Sequence, residues 1–322
     1  MNTYRAGIDI GSTTVKLVLL DENGKILFGQ YRRHCAHTQQ TLKELLAEAR
    51  EQVGSCLLQV KITGSGSINL GKAMGIGFVQ EVVAVASALQ AVAPQTDVAI
   101  ELGGEDAKII YFRGGLEERM NGVCAGGTGS FIDQMASLLQ TDAAGLNAQA
   151  EHYQEIYPIA ARCGVFAKSD IQPLINQGAK SADIAKSIYQ AVVNQTIAGL
   201  AQGRPIKGHV LYLGGPLTFS KCLRQSFDET LGVTGTCPEN SLLFVALGAA
   251  FYAEESWDLL KTAELLEQRG MSETYRSQPP LFENQAEYDA FKARHAKAAV
   301  PQAEQAQGRR PLATEHPAHR AR

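Results

Sequence analysis

Apolar residues near the start of the chain follow the spacing of strands and then of alternating helices and strands. Residues 4–10, 15–20 and 25–33 form short apolar runs, and the turn before the third contains Asn23-Gly24, a pair typical of β-hairpins. Residues 41–53 carry apolar side chains three or four positions apart, which predicts an amphipathic helix. The predicted order is three antiparallel strands, a helix at 41–53, a strand at 58–62 and helices at 67–74 and 81–93.

The same pattern begins again at Asp97. Strands are predicted at 97–102 and at 107–112, and a third strand ends near Met120. The remaining predictions are helices at 129–139, 143–150, 164–177 and 181–202, a strand at 209–213 and a helix at 241–255. We therefore predict an α/β fold with two similar lobes around a cleft. Residues 1–95 form the first lobe, and residues 96–255 form the second lobe with a helical insertion.

Residues 256–322 form a C-terminal extension with a weaker pattern. We predict helices at 258–268 and 287–299, and a disordered linker from Pro301 onward. Between Ala290 and Arg322 there are seven Lys or Arg residues against two Glu residues. The segment has almost no aromatic residue that could stack on a base, so a nucleic-acid-binding arm is not expected.

The composition is that of an ordinary globular protein. The chain has 322 residues, of which 45% are hydrophobic and 20% charged, and its net charge is −3. This charge does not favour nucleic acid or an anionic membrane as a partner. The apolar run at 244–253 is too short to span a bilayer, and the first residues do not resemble a signal peptide. We expect a cytoplasmic protein.

Several glycine turns follow predicted strands and are candidate nucleotide contacts. A carboxylate such as Asp9 at the end of a strand can hold Mg²⁺ through water molecules, and a glycine lets the backbone approach phosphates. The candidates are Asp9, Gly11, Ser12, Thr13, Thr14 and Lys16 in the first turn, Gly103, Gly104, Glu105 and Asp106 in the second, Gly127, Thr128 and Gly129 before the helix at 129–139, and Gly214 and Gly215 late in the chain. Taken alone, the first turn fits an ordinary hairpin equally well. Neither a Walker A loop nor a Rossmann fingerprint is present in the sequence.

Two of the six cysteines, Cys124 and Cys163, each precede a predicted helix. The N-terminus of a helix favours a thiolate and an anionic cluster bound to it. A [4Fe–4S] cluster needs four thiolates, so two copies of this arrangement would supply one cluster. The alternative, that both cysteines are ordinary core residues, stays open at this point.

The two carboxylate-glycine turns and the late Gly-Gly turn resemble the actin, sugar kinase and Hsp70 ATPase superfold. The resemblance implies an ATP/ADP site with Asp9 and Asp106 near Mg²⁺ and with adenosine at Gly214 and Gly215. It also implies that Glu105 positions the attacking water. The residues implied to lie near the phosphates are Ser12, Thr13, Thr14, Gly103 and Gly104.

A more specific resemblance covers residues 4–255 in order. The motifs are Gly7-Ile-Asp-Ile-Gly-Ser-Thr13, Gly103-Gly-Glu-Asp-x-Lys108, Cys124-Ala-Gly-Gly-Thr-Gly-x-Phe-x-Asp133 and Cys163-x-Val-Phe-Ala-x-Ser169. They resemble the activator ATPases of 2-hydroxyacyl-CoA dehydratases, to which the ATPase subunits of benzoyl-CoA reductases are related. The resemblance implies a homodimer that shares one [4Fe–4S] cluster through Cys124 and Cys163 of each subunit. It implies that ATP hydrolysis changes the angle between the helices that hold the cluster. The activator then passes one electron, received from ferredoxin or flavodoxin, to a dehydratase or reductase.

The chain departs from that family in places. Glu105 stands where a Gln is common, and Gly126 stands where an Ala is usual. Residues 280–300 resemble the connector of long members with a second ATPase domain, which implies intramolecular pairing as an alternative to a homodimer. Two other functions remain open. One is a small-molecule or sugar kinase of the same superfold without a cluster, and the other is a nucleotide-dependent scaffold.

Overall fold

Two β-sheets with matching strand orders organise the chain. The computed structural model describes residues 2–121, 125–160, 163–258, 262 and 281–296. Both sheets lie within residues 1–272, which form one compact unit. Each sheet has three antiparallel strands and a further strand parallel to one of them, and the first sheet has a fifth strand at its edge.

In the first sheet, three antiparallel strands are joined by tight turns, and a fourth strand lies parallel to the first. The strands are β1 (Thr3–Ile10), β2 (Thr14–Leu20), β3 (Ile26–Arg33), β4 (Leu57–Thr63) and β9 (Glu255–Asp258), which pairs antiparallel with β4. The helices in this part of the chain are α1 (Thr38–Val53), α2 (Ile68–Met74) and α3 (Glu81–Val92). The predicted apolar face of α1 is confirmed, since Leu42, Leu45, Leu46 and Ala49 are buried.

The second sheet repeats this arrangement. Strands β5 (Val98–Leu102), β6 (Ala107–Tyr111) and β7 (Glu117–Met120) are antiparallel, and β8 (Val210–Leu213) lies parallel to β5. The helical insertion between β7 and β8 contains α4 (Gly129–Leu138), α5 (Ala143–Ala150), α6 (Gly164–Asn176) and α7 (Ser181–Thr196). After β8 come α8 (Gly215–Phe219), α9 (Lys221–Leu231) and α10 (Phe244–Phe251). The predicted internal repeat and the helical insertion are therefore confirmed.

Helices α3 and α10 share one buried apolar cluster with residues from both sheets. Val18 and Leu20 of the first sheet and Ala99 and Ile110 of the second belong to this cluster. The contact of α10 with the first sheet is close, because a Cβ at Gly7 of β1 would overlap the backbone of α10. The two sheets are thus joined by a common core.

Two predicted helices have different ends in the structure, and a third falls mostly outside the described residues. The helix predicted at 241–255 spans only Phe244–Phe251, and residues 255–258 form β9 in the first sheet. The helix predicted at 181–202 is regular to Thr196 and continues as one wide turn, Ile197–Ala201. The helix predicted at 258–268 lies outside the described residues except for Thr262, and so does the linker predicted from Pro301. Helices α8 and α9 were not predicted.

A second unit comprises residues 273–322. Its described part contains α11 (Gln285–Ala296), close to the helix predicted at 287–299. No residue of α11 is buried, and the ring of Phe282 contacts the rings of Tyr288 and Phe291. None of the helices in the described ranges is long and apolar enough to cross a membrane.

Candidate functional site

The turns that follow β1 and β5 line one cleft between the two sheets. Most of the predicted nucleotide contacts line it, and the structure brings them together from both sheets. These residues are Asp9, Gly11, Ser12, Thr13, Thr14, Lys16, Gly103, Gly104, Asp106, Gly129, Gly214 and Gly215. Glu105 is exposed and does not belong to the lining. The water-positioning role predicted for its side chain therefore has no support in this arrangement.

The first two turns are built alike and touch each other. The amide of Gly11 donates to the carbonyl of Thr14 over 2.9 Å, and that of Gly103 donates to the carbonyl of Asp106 over 2.7 Å. A Cβ at Gly104 would overlap the side chain of Thr13. Glycine at this position therefore lets the turns approach from opposite sides of the cleft.

The turn before α4 differs from the prediction. The amides of Gly129 and Ser130 donate to the carbonyls of Gly103 and Gly104, over 2.9 and 2.7 Å. These two amides hold the second turn and are not available to a phosphate. Gly127 packs against Gln195, and Thr128 is fully buried, so neither lines the cleft. Only Gly129 of the three predicted contacts is in the cleft wall.

Two buried carboxylate-lysine pairs lie beneath the turns. The Nζ of Lys16 is 2.6 Å from the Oδ2 of Asp9, whose residue is only 2% exposed. Burial raises the pKa of Asp9 although Lys16 lowers it. In the second pair the Nζ of Lys108 is 3.8 Å from the Oε2 of Glu101. Burial raises the pKa of Glu101 as well, although Lys108 and Lys16 lower it.

These pairs occupy equivalent places in the repeated strands. Asp9 of β1 is paired in register with Lys16 of β2, and Glu101 of β5 is paired with Lys108 of β6. In both turns a carboxylate is followed by a glycine two positions later and by a lysine seven positions later. The counterpart of Asp9 in the repeat is therefore Glu101, while Asp106, which was predicted to lie near Mg²⁺ with Asp9, also lines the cleft. This shared spacing is the signal that would have identified Glu101.

Lys108 also joins the second sheet to α3. Its Nζ lies 2.5 Å from the Oε2 of Glu81, whose Oε1 accepts from the amide of Ser65 over 3.1 Å. Burial raises the pKa of Glu81, but Lys108, Lys16 and the amide of Ser65 together lower it, so the net shift is downward. Glu81 was not identified from the sequence, because only the fold brings the start of α3 next to β6.

Two further contacts cross the cleft near its mouth. Arg33 of β3 donates to Asp133 of α4 over 2.8 Å. The rings of Tyr31 of β3 and Phe219 of α8 meet edge to face, with centroids 5.9 Å apart. All four residues line the cleft. From the sequence, Asp133 was predicted only as part of a motif, and the other three residues were not predicted.

Magnesium fits the donor set on the cleft floor. Mg²⁺ is bound by hard oxygen ligands, usually one or two carboxylates together with waters and phosphates. Asp9 and Glu101 place two buried carboxylates there. The Oε2 of Glu101 is buried and has no hydrogen-bond partner within the described part of the chain. An oxygen left in this state is one that a cation would satisfy.

Of the two predicted cluster ligands, the structure describes one. Cys163 is half-buried at the N-terminus of α6, and its side chain makes no hydrogen bond to the helix amides. Cys124 lies outside the described residues. Within the described ranges no three His, Cys, Asp or Glu side chains are grouped so that they could hold a metal ion. Cys163 thus lies at a helix N-terminus, a position that favours the thiolate form of a cysteine.

The profile of the BadF/BadG/BcrA/BcrD ATPase family matches residues 6–253. The chain belongs to this family. This ATPase is 29% identical over 259 residues to the 2-hydroxyisocaproyl-CoA dehydratase activator of Clostridioides difficile. The match covers 78% of this chain and 94% of the relative. Family membership and the cleft together show an ATP-hydrolysing protein with an actin-like fold.

Two solved structures resemble this ATPase over most of its length. One is component A of the (R)-2-hydroxyglutaryl-CoA dehydratase of Acidaminococcus fermentans, with 28% identity and a TM-score of 0.69. It covers 82% of this chain and 100% of its own. The other is the activator of the 2-hydroxyisocaproyl-CoA dehydratase of Clostridium difficile with bound ADPNP, with 26% identity and a TM-score of 0.67. It covers 82% of this chain and 97% of its own.

Proposed function

We propose that this ATPase is a cytoplasmic activator that couples ATP hydrolysis to the transfer of one electron at low potential. Its acceptor is a 2-hydroxyacyl-CoA dehydratase or a reductase of the benzoyl-CoA type, and its donor is ferredoxin or flavodoxin. The observation that carries this proposal is the placement of Cys163 at the start of α6, next to the helix that begins at the nucleotide cleft. The similarity to dehydratase activators supports the choice of acceptor.

The nucleotide end of the proposal rests on the cleft. Asp9 and Glu101 would hold Mg²⁺, which neutralises charge on the phosphates when it is bound. Ser12, Thr13 and Thr14 offer hydroxyl and amide donors from one side, and Gly103 and Gly104 let the second turn approach from the other. Gly214 and Gly215, at the end of β8, are the proposed adenosine contacts.

The electron-transfer end rests on the cysteines. Cys163 and Cys124 of two copies would supply the four thiolates of one [4Fe–4S] cluster, which carries the transferred electron when it is bound. The two copies are two subunits or two domains of one longer chain. Helix α4 links this end to the nucleotide, because Ser130 and Asp133 line the cleft while Gln134 lies against Gly164, the residue after Cys163.

Purification without oxygen tests the proposal. We expect brown protein with about four iron atoms for each pair of cysteine-bearing domains. Replacing either ligand, as Cys163→Ser or Cys124→Ser, should remove the iron and leave ATP binding intact. Cys237→Ser is the matched control, because Cys237 is half-buried elsewhere and should not affect the iron content.

Two results would contradict the proposal. The first is an iron content that Cys163→Ser does not change. The second is colourless protein that transfers phosphate from ATP to a sugar, which is the activity of the alternative kinase function.

Spectra of the cluster with ADP and with an ATP analogue should differ if the nucleotide acts on the cysteines, and identical spectra would argue against coupling.

A further inference from the structure

The two phosphate turns depend on groups outside themselves. Each is closed by one backbone hydrogen bond, Gly11 to Thr14 in the first and Gly103 to Asp106 in the second. The carbonyls of Gly11 and Thr13 take no part in that closing bond, nor does the carbonyl of Glu105 in the second turn. Backbone polar groups at such positions need partners, because leaving them unpaired is costly. The structure shows which residues supply these partners.

His34 holds the first turn through both its ring and its backbone. Its amide donates to the carbonyl of Thr13 over 3.1 Å, and its Nε2 lies 3.2 Å from the carbonyl of Gly11. The amide of Ala36 donates to Nδ1 over 3.1 Å. Since Nδ1 is the acceptor, Nε2 carries the ring hydrogen and donates to Gly11. The residue is 9% exposed, so water competes little for these bonds.

The backbone after His34 is unusual in a way that serves the ring. Cys35 and Ala36 both lie in the left-handed region, with φ of 45° and 66°. This conformation is unfavourable for residues that carry a Cβ. Here it turns the amide of Ala36 back toward Nδ1, which fixes the orientation of the imidazole. Unfavourable backbone of this kind persists where the surrounding contacts require it.

Asn121 holds the second turn in the same manner. Its Oδ1 accepts from the amide of Ala107 over 2.7 Å, and its Nδ2 donates to the carbonyl of Glu105 over 3.0 Å. Its own amide donates to the carbonyl of Ala107 over 3.0 Å. One side chain therefore bridges two backbone groups at the junction of the turn and β6.

The two anchors occupy equivalent positions in the repeat. His34 is the first residue after β3, and Asn121 is the first residue after β7, the corresponding strand of the second sheet. Thr13 and Glu105, which they contact, are also equivalent when Gly11 is aligned with Gly103. We propose that His34 and Asn121 are a matched pair of positioning residues that set the phosphate turns for ATP hydrolysis. The proposal rests on the nucleotide half of the function proposed above and not on the cluster.

Neither side chain lines the cleft, so each acts through the turn that it holds. A phosphate-binding turn must present its amides and hydroxyls at fixed positions, because catalysis of phosphoryl transfer is mainly positioning and charge stabilisation. Loss of an anchor lets the turn rotate. We therefore expect substitution of an anchor to lower kcat/KM for MgATP while the melting temperature changes little.

Two substitutions at His34 separate the two ring nitrogens. Gln places an amide nitrogen close to the position of Nε2 and can still donate to Gly11. Asn reaches only the position of Nδ1. We expect His34→Asn to lower kcat/KM for MgATP by about 3- to 10-fold, the effect of one or two neutral hydrogen bonds, while His34→Gln keeps most of the activity. His37→Asn is the matched control, since the exposed His37 makes no side-chain capping bond.

Asn121→Asp tests the second anchor independently. It keeps the acceptor for Ala107 but faces the Glu105 carbonyl with an oxygen in place of a donor, so kcat/KM should also fall by about 3- to 10-fold. Melting temperatures are measured alongside for all variants. Equal kinetics for His34→Asn and His34→Gln would overturn the proposal, and so would full activity of Asn121→Asp. If His34→Asn does not fold, Asn121→Asp decides alone. A preparation without iron that hydrolyses ATP still tests the anchors, so failure of the cluster proposal remains distinguishable.

Discussion

Glu101 near the end of β5 and Glu105 in the following turn lie in different surroundings. Glu101 is 6% exposed on the cleft floor, whereas Glu105 is exposed outside the lining. We expect Glu101→Gln to lower kcat for ATP hydrolysis by about 10²- to 10³-fold, as when one group that stabilises transition-state charge is removed. Because burial raises the pKa of Glu101, the neutral amide should not lower the melting temperature.

Glu105→Gln is the matched control in the same turn. It replaces the acid with the residue that resembles the family pattern, and only the backbone carbonyl of Glu105 holds a contact with Asn121. We expect little change in kcat. A steady-state ATPase assay with both variants decides the matter, and comparable losses in the two would show that Glu105 acts on the nucleotide after all.

The glycines of this site are predictable from the sequence, but part of its charge is not. Gly11, Gly103 and Gly214 stand out because a glycine after an apolar strand is a local signal that survives without the fold. Glu101 is recognisable only through the internal repeat, in which its spacing to Lys108 equals that of Asp9 to Lys16. Contacts such as that between Lys108 and Glu81 join residues far apart in the chain, and no local pattern encodes them.

At the scale of elements, the packing of α10 on β1 depends on a single missing side chain. A Cβ at Gly7 would overlap the carbonyl of Ala246 and lie 2.6 Å from the amide of Ala250, both backbone atoms of α10. Since backbone atoms cannot turn aside as a side chain can, we expect Gly7→Ala to destabilise the fold by about 3 kcal/mol or more. Chemical unfolding measures the change in free energy.

Gly199→Ala is the control for that substitution. Gly199 lies exposed in the turn after α7, and the nearest atom that a Cβ would meet belongs to the side chain of Gln195 at 3.5 Å. The variant should be as stable as the parent or slightly more stable, because alanine favours helical backbone. Equal stability of both variants would show that α10 can shift away from β1 at low cost.

Elements with a strong local signal were predicted well, whereas α8, α9 and β9 were missed. The leucines of α1 and the buried run of α10 are strong periodic signals, and both elements were found. β9 has only four residues, Glu255–Asp258, and it forms because β4 offers an unpaired edge. Its sequence alone resembles the end of the preceding helix. Helix α9 did carry a usable signal, since Leu223 and Phe227 are four positions apart and both are buried.

On the scale of the whole molecule, the two sheets are held together on both sides of the nucleotide site. Behind it lies the shared core of α3 and α10, and at its mouth Arg33 pairs with Asp133. The ion pair is partly exposed, with Arg33 57% and Asp133 36% accessible, so its contribution to folding should be small. Its position suggests an effect on how fast the nucleotide leaves.

We expect Arg33→Gln to speed the release of a fluorescent ATP analogue by about 1.5- to 5-fold, the effect of losing an exposed ion pair that closes the cleft. Arg32→Gln is the matched control, because Arg32 pairs with Glu48 at 2.9 Å within the first lobe and should leave the release rate unchanged. Stopped-flow fluorescence measures the rate. Both variants should melt within a few degrees of the parent.

A double-mutant cycle separates the ion pair from any direct contact of Arg33 with the nucleotide. Asp133→Asn removes the same pair from the other side of the cleft and leaves the guanidinium in place. If the pair controls release, Asp133→Asn should act like Arg33→Gln, and the double variant should be no faster than either single variant. Fully additive effects would mean that Arg33 and Asp133 act separately. The cleft would then be closed by Tyr31 and Phe219 and by the bound nucleotide itself.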